Sequence, residues 1–298
     1  MATARTYDPE LLRAHRRKRD NARRLRHFAL HMLLIGLLLI MLYPVIWMVL
    51  SSLRPETEIF GDLGLIPTTW TFENYVNGWT LFGNKTFGLF FINSLVICVL
   101  AIIGNLISCS MAAYAFARLN FSGKWLLFAA MLSTIMLPVH VQLIPQYIFF
   151  LQIGWVNTLL PLIVPKFLAH DAFFIFLMVQ FMRSLPPELE QAAVVDGASY
   201  WQRYWRIILP LSMPALVTTA VFTFINTYND FFSQLIYLTD IDRMTVPVAL
   251  RLFLDPGGGQ SSFGGLFAMV LVSIGPVLGF FLASQRLLTR GIATQGFK

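Results

Sequence analysis

Six long apolar runs constrain this chain more than any other feature. They cover roughly Phe28–Leu50, Gly88–Ala115, Trp125–Phe150, Asn157–Phe181, Ser212–Leu238 and Gly264–Leu288. A hydrocarbon layer about 30 Å thick takes about 20 helical residues to cross, and each run reaches that length. Backbone polar groups in lipid have no water to bond, so spanning segments of this length and composition form helices. Of the 298 residues, 57% are hydrophobic and 12% are charged, against about 45–50% and about 25% for a soluble domain. That excludes a disordered chain and an ordinary soluble enzyme. The expected fold is therefore an all-α polytopic membrane protein with six transmembrane helices in one domain, residues 28–288. A basic tail (1–27) precedes it and a short tail (289–298) follows. Cys98 and Cys109 both lie within one apolar run, where they read as small core residues. Neither a disulfide scaffold nor a metal site is expected.

The charges are distributed unevenly. Residues 1–27 carry nine Lys/Arg and three acids, with Arg13, Arg16, Arg17, Lys18, Arg19, Arg23, Arg24 and Arg26 just ahead of the first apolar run. That run continues to Leu50 without a cleavage site of small residues, which predicts an uncleaved spanning helix. Six crossings put both termini on one side. The segments on that side (1–27, 116–124, 182–211 and the C-terminal end with Arg286) hold 17 Lys/Arg, and the opposite loops (51–87, 151–156, 239–263) hold four. Cytoplasmic loops are enriched in Lys and Arg, so both termini are expected to be cytoplasmic. A basic flank beside a span sets orientation, and no nucleic-acid partner is expected.

The longest internal segment on the basic side runs from Ser184 to Pro210. Pro187 suits the start of a helix, and Glu188 and Glu190 follow in its first turn, where the helix dipole favours acids. Leu189, Ala192 and Ala193 recur at helical spacing as a small apolar face. Asp196-Gly197 ends the helix, since glycine takes a left-handed cap without steric cost. Ser199 and Gln202 form a capping-box pattern for a second helix, and Pro210 ends that one or opens the next span. Trp201, Tyr204 and Trp205 make an aromatic cluster suited to an interface. Two short helices around a glycine corner are predicted. The pattern alone fits equally a surface for another protein and a loop packed on its own bundle.

Polar residues within the spans are the second group of interest, because they are costly in lipid and tend to face a cavity or a partner helix. The third run contains Pro138, His140, Gln142, Pro145 and Gln146, and two prolines seven apart interrupt the hydrogen-bond ladder. In the fourth, Lys166 and His170 share a helical face by spacing, with Asp171 further round; they read either as a neutralised cluster or as a polar route. The fifth holds Thr223, Asn226, Thr227, Tyr228, Asn229, Asp230 and Gln234.

The segment 184–210 resembles the EAA loop of ABC-importer permeases. Gln191-Ala192-Ala193, Gly197 and Ile207-Ile208-Leu209-Pro210 stand at that family's spacing, and Pro187 through Ser199 is similar to its carbohydrate branch. Gln191 replaces the family's glutamate, which removes a charge there, and Glu190 lies about 100° away on a helix. The resemblance extends along the chain through Tyr43–Trp47, Ser51–Arg54, Phe72–Tyr75, Asn93-Ser94, Ala112–Arg118, Tyr228–Phe231 and Gly291–Lys298. The closest group is the MalG-like half of sugar-importer permeases.

That resemblance implies a type I ABC-importer permease fold in a bacterial inner membrane. It implies a second homologous permease, two ATP-binding subunits and a solute-binding protein as partners, besides membrane lipid. The coupling surface is then expected at Glu190, Gln191, Ala192, Ala193, Asp196, Gly197, Ile207, Leu209 and Pro210, with the C-terminal tail reaching the same interface. Sugars call for amides and carboxylates on hydroxyls and aromatics on ring faces. A candidate pathway is accordingly drawn through His140, Gln142, Gln146, His170, Asp171, Tyr228, Asn229 and Asp230, although for Asn229 itself a structural role is the preferred reading. No cofactor is expected on this chain: it lacks Gly-x-x-x-x-Gly-Lys-Ser/Thr, so ATP and Mg belong to the partners. An ATP-independent carrier or channel would share the spans and the buried polar residues but would leave the spacing from Pro187 to Pro210 unexplained. An intramembrane enzyme is disfavoured, since His-Glu-x-x-His and Gly-x-Ser-x-Gly are absent.

Overall fold

The computed structural model of the chain describes residues 9–61, 64–80, 85–254 and 261–293. Among them the regular elements are all helices, joined by turns and loops. The elements in order are α1 (Pro9–Ser52), α2 (Glu73–Thr80), α3 (Gly88–Arg118), α4 (Lys124–Thr134), α5 (Val139–Gln152), α6 (Leu160–Ile163), α7 (Ala172–Ser184), α8 (Glu188–Val195), α9 (Tyr200–Arg203), α10 (Leu209–Leu211), α11 (Met213–Tyr228), α12 (Phe232–Tyr237), α13 (Val246–Leu252) and α14 (Phe263–Ala293). Among the described residues, four segments are long and apolar enough to cross a bilayer: Leu25–Ser52, Gly88–Arg118, Leu160–Ser184 and Phe263–Gln285. Two bent pairs bring the total to six if each is one span. These are α4 with α5, bent by 101°, and Tyr200–Leu211 with α11, bent by 74°.

The expected third, fourth and fifth spans are therefore not straight helices. Leu137 precedes Pro138, which disfavours helical backbone at Leu137 and removes a donor. Helix α4 stops at Thr134, where Ser133 and Thr134 hydroxyls donate back to Ala130 O and Met131 O (2.7 and 2.6 Å). Pro145, by contrast, is accommodated inside α5. In the fourth run Pro161 and Pro165 convert the backbone after α6 into a 3-10 turn, Val164–Leu168, and Ala169 is left-handed (φ 55°) before α7 begins. In the fifth, α11 ends at Tyr228 and a break precedes α12.

At the amino-terminal end, the residues assigned to a tail continue the first helix without interruption from Pro9. Residues 1–8 lie outside the described part, as does the end of the C-terminal segment with Gly296, Phe297 and Lys298. None of the 18 most apolar residues of α1's span is buried within this chain. It touches the rest at its carboxyl end, where Trp47 packs edge-on against Phe267 of α14 (5.3 Å between centroids).

Helix α3 is the axis of the bundle, with α7, α11 and the Val164–Leu168 turn packed against it. The core divides into three clusters. One joins Cys109, Ala113, Met178, Met182, Tyr204 and Ile208 at the end of the bundle that carries residues 184–210. A second gathers Phe87, Phe90, Cys98, Phe224, Phe253 and Met269 at the opposite end. A third, around Phe150 and Tyr237, ties α5 to α12. Both cysteines are buried and free.

The end opposite the 184–210 loop is closed by short connections. The amide of Asn74 donates to Ser52 O and Arg54 O (2.9 and 2.6 Å), holding the carboxyl end of α1. Glu56 accepts from the backbone N–H groups of Phe263 and Gly264 (2.6 and 2.9 Å), satisfying free donors at the start of α14. In the same loop Thr69 and Thr68 donate to Glu58 (2.6 and 2.7 Å), and these bonds hold its carboxyl below the usual range.

Gly104 marks the tightest approach on α3: a Cβ there would sit 2.8 Å from the Phe167 ring and 3.0 Å from the Lys166 carbonyl carbon. Gly104→Val is expected to lower the stability of the detergent-solubilised chain by about 2 kcal/mol, the cost of overpacking a fitted contact. A thermal unfolding midpoint equal to wild type would show that the 164–168 turn yields freely.

Candidate functional site

The segment 184–210 folds as its sequence pattern predicts, and its side chains divide into two faces. Helix α8 begins after Pro187 and ends at Asp196. Gly197 is left-handed (φ 77°), with open space where a Cβ would stand, so glycine is required there by the backbone rather than by crowding. Ser199 and Gln202 form the complete capping box of α9. One turn of π-helix, Tyr204–Ile208, follows. It lies just before Pro210, whose ring and missing N–H disturb the ladder one turn back.

The outward face of this knuckle comprises Gln191, Ala192, Val194, Val195, Asp196, Gly197, Tyr200 and Trp201, with Val195 87% exposed. The apolar face expected from Leu189, Ala192 and Ala193 does not form as a unit. Leu189 and Ala192 are exposed, and only Ala193 packs inward. What accompanies Ala193 inward is Glu190, 8% exposed. Of the nine expected coupling residues, then, Gln191, Ala192, Asp196, Gly197 and Pro210 are at the surface. Ile207 and Leu209 pack at the rim of the core cluster, while Glu190 and Ala193 are buried.

The inward face is fastened to the last turns of α3. Ser110, Tyr114 and Arg118 lie four residues apart and so share one stripe of that helix. Ser110 Oγ and Tyr204 Oη are hydrogen-bonded at 2.7 Å. Tyr114 Oη donates to Glu190 Oε1 (3.0 Å). Arg118 Nε lies 3.3 Å from Glu190 Oε2, while its Nη2 donates to Met182 O and Leu185 O (2.6 and 2.7 Å) at the end of α7. Arg203 of α9 adds a longer ion pair to Glu190 (4.0 Å) and stacks over Tyr200 (4.2 Å). Two guanidiniums and a phenol thus compensate one buried carboxylate. The sequence signal for this anchor was three polar side chains at i, i+4 and i+8 on the end of an apolar span.

A second polar node lies deeper in the bundle. The helix break after α6 separates Lys166 from the face it would have shared with His170. Lys166 Nζ turns instead to Asp171 Oδ2 (2.8 Å), with His170 Nδ1 3.6 Å from Oδ1. Asn105 of α3 donates to Asp171 Oδ2 (2.6 Å) and Thr223 Oγ1 (3.1 Å), and Ser108 donates to Lys166 O (2.6 Å). The node links α3, α7, α11 and the 3-10 turn.

The other candidate pathway residues do not gather at one point. His140 is exposed and meets the edge of Phe232 (5.1 Å). Gln142 donates to Leu137 O (3.3 Å), at the break before α5. Gln146 accepts from Tyr237 Oη (3.3 Å). Tyr228 is buried, stacked on Phe224 (5.6 Å), and donates to Ser273 O (3.0 Å), which ties α11 to α14. Asn229 caps α11 and is exposed. Asp230 accepts from Ser233 N–H (3.1 Å). Among the described residues, no three His, Cys, Asp or Glu side chains are grouped so as to hold a metal ion.

The family described as binding-protein-dependent transport system inner membrane component matches residues 104–294. The chain is 30% identical over 268 residues to the diacetylchitobiose uptake system permease protein NgcG of Streptomyces coelicolor, covering 90% of this chain and 88% of that one. It is 32% identical over 273 residues to the trehalose/maltose transport system permease protein MalG of Thermococcus litoralis, covering 90% and 96%. Its fold is similar to a chain in the crystal structure of a bacterial ABC transporter involved in the import of the acidic polysaccharide alginate. The TM-score is 0.78, at 22% identity, with 89% of this chain and 97% of that one covered.

Lys166→Met leaves the partly buried Asp171 without its closest cation and is expected to cost about 2 kcal/mol, below the scale for breaking a fully buried pair from one side. Lys166→Met with Asp171→Leu removes both charges and should recover most of that loss in a thermal unfolding series. Additive losses would show that the two side chains act independently.

Proposed function

The chain belongs to the family of binding-protein-dependent transport system inner membrane components, and from that premise we propose that it is a pathway-forming permease subunit of an ATP-driven importer for a sugar or oligosaccharide. It pairs with a second, homologous permease in a bacterial inner membrane. Both termini and the 184–210 loop face the cytoplasm. Two ATPase subunits carrying ATP and Mg dock there, and a solute-binding protein delivers the sugar from the opposite side.

The observation that carries this reading is the two-faced 184–210 knuckle. Its outer surface of small and apolar side chains, Ala192, Val194 and Val195, stands free around Gly197, while its inner surface is bonded to α3. A soluble subunit can seat on the first face and move the bundle through the second. Docking that differs between two nucleotide states of the ATPase shifts the equilibrium between inward-open and outward-open arrangements. The sugar assignment is supported by relatives named for diacetylchitobiose and for trehalose and maltose. His140, Gln142, Gln146 and His170 are the side chains we assign to the route. Asn229 and Asp230 join them at the break after α11. Asp171 and Tyr228 serve it by holding the helices around it.

The first test is co-purification of the tagged chain from its native membrane in mild detergent. A second permease and a Walker-motif ATPase should come with it. Recovery of the chain alone, active without ATP, would replace the importer with a carrier. Gly197→Val should leave the chain inserted but reduce ATP-driven uptake at least tenfold, because a β-branched side chain both strains a left-handed residue and projects from the docking face. Asp230→Ala should lower transport more than assembly, and equal loss of assembled complex would assign it a structural role.

A further inference from the structure

We propose that Glu190 is a positioning residue that clamps the coupling loop onto α3, so that movement of the loop is delivered to α3 instead of being absorbed at the loop's own joints. This rests on the reading that residues 184–210 dock an ATPase. Glu190 stands next to the exposed Gln191 and Ala192, where a docking contact would be sought, yet its carboxylate is turned away from that surface and buried. Its partners belong to two different elements: Tyr114 and Arg118 on α3, and Arg203 on α9. One side chain therefore joins α8 to α9 across the Gly197 corner and joins both to the bundle.

The loop has two places where it can bend, the Pro186-Pro187 entry and the left-handed Gly197. Without the clamp, a push on the outer face would pivot α8 about them. With it, the push reaches α3 through Tyr114 and Arg118, and at a second point through the Ser110–Tyr204 bond. Helix α3 then runs unbroken to Asn105 and Ser108, the residues that hold Asp171 and the Lys166 carbonyl. The thirteen residues from Arg118 to Asn105 correspond to about 20 Å of helix at 1.5 Å per residue. Because Arg118 also holds the last carbonyls of α7, that helix follows the same displacement.

The test uses the whole complex, purified through a tag on this chain, with a nitroxide at one of two sites. Glu188→Cys reports on α8 from outside the docking face and Ile107→Cys on α3; both positions are exposed, and the native cysteines are buried. ATP with vanadate is the probe. In Glu190→Gln we expect the ATPase subunits to remain bound and ATP hydrolysis to stay within about twofold of the wild-type rate. The label at 188 should become more mobile, and the probe-induced change at 107 should be lost. Glu190→Asp should restore part of that change. Arg203→Gln, which keeps the pair with Arg118, should give a smaller rise in mobility at 188 and covers the case in which Glu190→Gln does not fold. Loss of the ATPase from Glu190→Gln would make Glu190 a docking contact and overturn the proposal, as would an unaltered response at 107. Absence of an ATPase from the wild-type preparation would overturn the importer reading instead, and the mobility at 188 would then test the clamp by itself.

Discussion

A carboxylate held between two guanidiniums and a phenol organises the end of this bundle. Burying Glu190 costs the hydration of a full charge, and a charge so placed is tolerated only where opposite charge and hydrogen bonds replace the water. Arg118, Arg203 and Tyr114 supply both. Their positions then follow: Arg118 must end α3 within reach of α7's last carbonyls, and α9 must return close enough for Arg203 to reach across Gly197. A charged residue that would be at home in water is thus what fixes two short helices, each too short to be stable alone, against an apolar bundle.

The same compensation recurs about 20 Å along α3, at the spacing of 1.5 Å per residue. Lys166 and Asp171 neutralise each other where the fourth span is broken, and Asn105 and Thr223 take up the remaining hydrogen-bond capacity. Intramembrane charges that are merely structural and those that mark a transport route look alike in composition. Here Lys166 and Asp171 are turned to each other, and His170, 3.6 Å from Asp171 Oδ1, keeps 48% of its side chain accessible. The node can therefore hold three helices together while leaving an imidazole accessible at its edge.

Much of this was readable from residue pattern, and the parts that were not share a cause. The apolar runs located the spans, and the capping box at Ser199 and the glycine corner at Gly197 were read at the residues where they occur, because both are local devices settled by a few neighbouring side chains. The inward turn of Glu190 was not legible, since it depends on Arg118, which is 72 positions earlier in the chain. Nor was the Lys166–Asp171 pairing, because helical spacing favoured His170 until Pro165 and the left-handed Ala169 changed the path between them. Hydropathy likewise treats a run with an internal break as one helix. Trp125–Phe150 is equally apolar on both sides of a 101° bend.

Those breaks also explain why this bundle needs so many amides and hydroxyls. Each interrupted helix releases carbonyls that lipid cannot satisfy, and at several of these ends a side chain meets one of them. Gln142 donates to Leu137 O before α5, Ser108 to Lys166 O in the 3-10 turn, Arg118 to Met182 O and Leu185 O after α7, and Gln234 to Thr227 O after α11. Asn74 does the same for Ser52 O and Arg54 O at the opposite end. The donors come mostly from a different helix or from beyond the break, so each repaired carbonyl is also a link between elements. A bundle joined in this way can change the angle between two helix segments by exchanging one hydrogen bond, with the apolar packing on either side left intact. Polar residues within the spans therefore do not by themselves trace a substrate route, because many of them are spent on repairing a helix end.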